Sequence, residues 1–108
     1  MEGLETGSLV VVHCLGPREK LWGVLLRLDQ VGAVVRGLDL NTIEDWMTQE
    51  TAGLEPLIGP STVFLPTHRL ERIYLDEASG LANSIGGRFL AATGREARQA
   101  LVEGREEA

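Results

Sequence analysis

The sequence predicts a mainly β fold, a five-stranded, strongly bent antiparallel small barrel with a short helical insertion and a helical C-terminal extension. Three observations carry this expectation. Five short apolar runs rich in β-branched residues are separated by Gly, Pro and Asp turn residues. A helix-start signal, Asn41-Thr42-Ile43-Glu44, lies between the third and fourth runs. From Asp76 onward the composition shifts to Ala, Gly and Arg, with apolar residues at helical spacing.

The 108 residues, 44% hydrophobic and 5% aromatic, suit one small domain with no room for a second. A barrel over residues 1–77, interrupted by an insertion at about 41–52, and an extension over 78–108 are the expected divisions. The first strand is expected at Ser8–Leu15, ending at the turn pair Gly16-Pro17. A second, Lys20–Leu28, ends at Asp29-Gln30-Val31-Gly32, and a third runs from Ala33 to Leu38. Val10, Val11 and Val12 are consecutive, as are Val24, Leu25 and Leu26, so both faces of these strands need apolar partners. Either another layer covers the outer face or subunits cover it for each other.

In the insertion, Asn41 is the expected cap, Glu44 its capping-box partner, and Ile43, Trp46 and Met47 the apolar positions. The helix should end before Ala52-Gly53, with a loop through Pro56 and Gly59-Pro60. Ser61–Leu65 and Leu70–Leu75 are the fourth and fifth strands, joined by a tight or 3₁₀ turn at Pro66-Thr67-His68-Arg69. In the extension Leu81, Ile85 and Phe89 stand four apart, Gly86-Gly87 is expected to interrupt the helix, and Thr93-Gly94-Arg95-Glu96 should cap a last one.

The second and third strands carry a resemblance. Gly23, Leu25, Leu28 and Asp29 match the spacing of the first Sm motif. The Asp29-Gln30 pair and Ser61-Thr62-Val63 ahead of Pro66 resemble the bacterial Hfq branch. This resemblance to the Sm-like (LSm/Hfq-type) family covers residues 8 to about 75. It implies a small barrel of the Sm-like or SH3-like kind assembled as a homo-oligomeric ring, in which the fifth strand pairs with the fourth strand of the next subunit. Gly23 would let the second strand bend and Asp29 would fold onto turn N–H groups. Trp22, Trp46, Val63, Leu70, Ile73 and Tyr74 are the candidate interface residues.

The family's RNA pocket is not reproduced. Its stacking position is Val31, its asparagine position Ala33, the Tyr-Lys-His run aligns with Pro56-Leu57-Ile58, and Pro66-Thr67 replace the Arg-Gly pair. A base stack contributes about 1–3 kcal/mol, so these changes remove the usual basis of binding. The net charge of −6 also repels a polyanion. No Lys or Arg occurs from Gly37 to His68, whereas six arginines against five acids follow from Arg69 to Arg105. The rival reading is therefore an RNA-binding protein using His68, Arg69, Arg72, Arg88, Arg95 and Arg98.

Catalytic and metal signatures are weak. His13 and Cys14 are neighbours on a strand and point to opposite faces, and Glu44 and Asp45 lie about 100° apart on a helix. Cys14 is the single cysteine, which excludes an intrachain disulfide and a zinc-finger spacing. Ser84-Ile85-Gly86-Gly87-Arg88 lacks the strand and lysine of a phosphate loop. The expectation is a non-enzymatic, cofactor-free assembly or regulatory scaffold that contacts itself and another macromolecule. No apolar run reaches the roughly 20 residues of a membrane helix, and an acidic N-terminus leads to an expected cytoplasmic location.

Overall fold

The computed structural model describes residues 4–103. Five strands, β1 (Leu9–Cys14), β2 (Glu19–Leu28), β3 (Gly32–Asp39), β4 (Ser61–Pro66) and β5 (Leu70–Leu75), form one antiparallel sheet in the order β4-β3-β2-β1-β5. Three helices accompany it: α1 (Ile43–Ala52), α2 (Ile85–Thr93) and α3 (Ala97–Val102). The sheet is open: its hydrogen bonding ends at β4 on one side and β5 on the other, and no pairing joins them.

Curvature comes from β2. Gly23 and Gly37 face each other across β2 and β3, where a Cβ on Gly23 would stand 2.3 Å from the Arg36 carbonyl oxygen, and one on Gly37 2.0 Å from that of Trp22. Only paired glycines permit that approach. A bulge between Leu25 and Arg27 adds to the bend, and a second bulge lies between His13 and Cys14 where β1 meets β5.

The consecutive apolar residues of β1 and β2 are explained by two cores. Val10, Val12, Cys14, Leu25, Ala33, Val35 and Leu65 pack on the inner, concave side. Val11, Trp22, Val24 and Leu38 face outward and are covered by Ile43, Trp46 and Met47 of α1, Phe89 of α2 and Ala97, Ala100 and Leu101 of α3. The outer layer is thus a helical one belonging to the same chain. Trp46 lies between Trp22, at a ring separation of 5.9 Å, and Phe89, stacked at 4.8 Å with an interplanar angle of 13°.

Asp76, one residue beyond β5, locks this layer down. Its carboxylate accepts from the indole Nε1 of Trp22 at 3.0 Å and from the backbone N–H groups of Ile85 and Gly86 at 2.8 Å each. One side chain therefore satisfies a core tryptophan and two orphan donors at the start of α2, where negative charge also meets the helix dipole favourably. Gly86 fits because a Cβ there would meet Leu9 Cδ1 at 2.8 Å. At the far end Arg36 of β3 donates from Nε to the Leu101 carbonyl at 2.8 Å, tying α3 to the sheet.

Four local expectations are corrected. Asp39, not Asn41, caps the insertion: its Oδ1 accepts from the Asn41 N–H at 2.8 Å above a 3₁₀ turn, Leu40–Thr42, that precedes α1. Gly86-Gly87 opens α2 instead of interrupting it, because Ser84 is the cap and its Oγ accepts from the Gly87 N–H at 2.9 Å. Leu81 is fully exposed outside any helix, so it shares no face with Ile85 and Phe89. Thr93 ends α2 and bonds back to the Phe89 carbonyl, leaving Glu96 as the cap position of α3 without a side-chain cap bond. The 3₁₀ turn Thr67–Arg69 lies where the sequence places it.

Gln49 is the one buried polar side chain among the described residues, and its amide makes two hydrogen bonds with the backbone of Ile58, Nε2 donating to the carbonyl at 2.8 Å and Oε1 accepting from the N–H at 2.9 Å. That pair holds the loop after α1 against the helix. Asp76→Ala removes an acceptor shared by three donors and is expected to cost about 2 kcal/mol or more. Urea denaturation checks the loss. Amide exchange of Ile85 and Gly86 should accelerate beyond the global change.

Candidate functional site

Three regions are candidates: the end of the sheet where the β2–β3 and β4–β5 turns meet, the arginines of the second half, and the two strand edges.

At the turn end, Asp29 folds onto its own turn as its spacing predicts. Its Oδ1 accepts from the Val31 and Gly32 N–H groups at 2.9 and 3.3 Å, and its Oδ2 lies 3.1 Å from Arg27 Nε. Thr67 joins the second turn to the first, donating from Oγ1 to the Gln30 carbonyl at 2.7 Å and from its N–H to the Val31 carbonyl at 2.9 Å. The surface this makes is capped by exposed Val31 and His68. It offers an apolar contact and an imidazole but no stacking ring or cation fork.

The rival's arginines do not form one surface. Arg69 clamps the β1–β2 turn, donating from Nε to the Leu15 carbonyl and from Nη2 to the Pro17 carbonyl and Glu19 Oε1, each at 2.8 Å. Arg88 pairs with Glu44 at 2.7 Å, and Arg95 pairs with Glu50 and Glu103 while lying over the Phe89 ring. These two neutralise the acidic face of α1. Arg98 is exposed on α3, and Arg72 stands on β5 over Tyr74, with 4.8 Å from its guanidinium carbon to the ring centre.

Comparison of the chain with family models, with curated proteins and with solved structures returns no match. Its own geometry therefore carries the functional argument.

The interface candidates divide sharply. Trp22 and Trp46, 0% and 2% exposed, lie in the core under α2, so of their two readings, core and interface, the structure gives core. Val63 on β4, and Leu70 and Ile73 on β5, are partly buried residues at the rim of the inner core. Tyr74 is exposed on the outer face of β5. A cavity of about 200 Å³ opens beside Val63, lined also by Leu21, Val35 and Leu38. β4 carries no charged residue along its free edge and leaves Phe64 49% exposed.

His13 and Cys14 take opposite faces, as strand geometry requires. Cys14 is buried in the inner core, and burial raises its thiol pKa. His13 faces outward, its Nε2 3.3 Å from the Tyr74 hydroxyl and its ring edge-on to the tyrosine at 5.3 Å. No group of three His, Cys, Asp or Glu among the described residues is placed to hold a metal ion. No helix among them is long and apolar enough to cross a membrane.

Two features escaped sequence reasoning. Asp76 was invisible because its partners are a tryptophan on β2 and a helix start nine residues later. The alignment of His13 with Lys20 and Arg72 needed the register of three strands, and no linear spacing encodes it.

His13 is held below its ordinary value of 6.5 by burial first, then by Arg72 and Lys20, with Glu71 opposing. The unfolded chain therefore binds this proton more readily, and the stability linked to neutral His13 is lost as pH falls through 6.5 toward the lowered folded value. His13→Gln should flatten the fall of the thermal midpoint as pH drops through 6.5, relative to the parent. Parallel curves over that fall would contradict the assignment.

Proposed function

We propose that this chain is a non-enzymatic Sm-like module whose bent sheet is an open barrel, closed into a homo-oligomeric ring by head-to-tail pairing of β4 with the β5 of the next subunit. The ring acts as an assembly or regulatory scaffold for another macromolecule. The observation that carries this reading is the free β4 edge: uncharged from Ser61 to Pro66, with an exposed Phe64 and no gatekeeping charge. Soluble proteins protect such edges unless a partner strand occupies them.

The partner edge fits. β5 has six residues, as does β4. Val63 and Leu65 face the inner core from one edge, and Leu70, Ile73 and Leu75 from the other, so a continuous sheet would extend one apolar inner face. Phe64, opposite outward-facing Val34, and Tyr74, opposite Val11, share the outer face. A heterologous contact of this kind closes into a ring when its rotation permits.

The resemblance in Gly23, Leu25, Leu28 and Asp29 supports the reading through physics as well as pattern, since Gly23 sits at a strand approach that leaves no room for a Cβ and Asp29 folds onto its turn. RNA binding by the second-half arginines is the weaker reading, because Arg69, Arg88 and Arg95 already have carboxylate partners.

Native mass spectrometry of gently purified protein, with the absorbance ratio of the same sample, tests the proposal. The expected result is a nucleic-acid-free closed oligomer of roughly five to eight subunits. Val63→Lys should convert it to folded monomer. A parent protein that is monodisperse monomer at micromolar concentration would overturn the ring, and copurified RNA would overturn the scaffold reading.

A further inference from the structure

One row of the outer sheet face lies beyond the helical layer. Lys20, His13 and Arg72 stand directly opposite one another on β2, β1 and β5. With strands about 4.8 Å apart, the backbones of Lys20 and Arg72 are about 10 Å from each other, with the imidazole between them. Tyr74, the next outward residue of β5, holds that imidazole through its hydroxyl and supports the Arg72 guanidinium on its ring.

Placement sets the row apart. Among the described residues Arg27, Arg69, Arg88 and Arg95 all have carboxylate partners. Lys20 and Arg72, like Arg18, Arg36 and Arg98, have no ion pair among the described residues; these two differ in standing on either side of an imidazole in one cross-strand row. Lys20 from β2 and Arg72 from β5 both act against protonation of His13, and Glu71 of β5 is the carboxylate that opposes them. A bound anion would meet both cations and the imidazole at once.

We propose that the Lys20–His13–Arg72 row binds a phosphoryl group, carried by a small phosphomonoester. Lys20 supplies a point charge, Arg72 a planar fork suited to phosphate oxygens, and His13 a donor that gains a proton as the dianion arrives. Tyr74 is a positioning residue for both neighbours. The net charge of −6 favours a small dianion over a nucleic-acid strand, because long-range repulsion grows with the charge of the ligand. Ring closure would add the next subunit's strand beside β5, so the site borders that junction, and the His13 resonance reads phosphate binding separately from the oligomeric state.

The chain has two histidines, so His68 serves as an internal control for His13. Titrating the full chain with phenyl phosphate at low ionic strength, and reading the imidazole resonances by NMR, should give a saturable shift confined to His13 and a rise in its pKa. Lys20→Ala or Arg72→Ala should weaken binding at least tenfold, whereas Arg27→Ala, an equal loss of charge elsewhere, should leave it unchanged. The parent titration alone decides the matter if a variant does not fold. Equal or non-saturating shifts of both histidines would overturn the site. A saturable, salt-sensitive His13 shift with oligouridylate and none with phenyl phosphate would overturn the phosphomonoester assignment in favour of nucleic acid.

Discussion

Burial of Trp22 against Trp46 and Phe89, fixed by the Asp76 carboxylate, is the interaction on which the rest of the structure depends. The sheet alone has an outer face of Val11, Trp22, Val24 and Leu38 that water would otherwise meet. Two aromatic rings from separate helices fill that face, and fully burying side chains of this size contributes about 1.5–3 kcal/mol each. The indole N–H would be an unsatisfied donor without Asp76. The same carboxylate begins α2, so one group sets both the chemistry of the core and the angle at which the helical layer joins it.

At its centre the inner core is as fully buried as the outer one, with Val10, Val12, Cys14, Leu25 and Ala33 all at 0% exposure. Three helices seal the convex side, whereas the concave side ends at Val63 on β4 and at Leu70, Ile73 and Leu75 on β5. The glycine pair at Gly23 and Gly37 bends the sheet toward closure without supplying a bond between its first and last strands. A second copy of the chain is the occupant proposed for that gap. The acids of α1 contribute to holding the tail in place, because Glu44 and Glu50 engage Arg88 and Arg95.

The five strands, the 3₁₀ turn and the insertion helix were legible because each depends on residues close in sequence: β-branched runs, Gly16-Pro17, Asp29 on its own turn, Gly53 at the end of α1. The doubled apolar runs correctly required cover on both faces, but their spacing does not say whether helices or neighbouring subunits provide it. Trp22 and Trp46 therefore read as core with interface as the alternative until the helices are placed. The cap misled because a 3₁₀ turn precedes α1: Asp39 caps that turn and Asn41 lies inside it. At the candidate sites the limit was register. Arg69, Arg88 and Arg95 read as free cations in a list of residues, and only folding brings each to its carboxylate.

The central claim is that sheet and helical layer are one cooperative unit held by Trp22 and Asp76, not a barrel with an appended tail. Native-state hydrogen exchange across a denaturant series measures this directly. The expected result is that core amides of α2 and α3 exchange with the same free energy and denaturant dependence as those of β1 and β2, through global unfolding. Exchange of α2 and α3 through a separate opening of lower free energy, with the strands still protected, would contradict it.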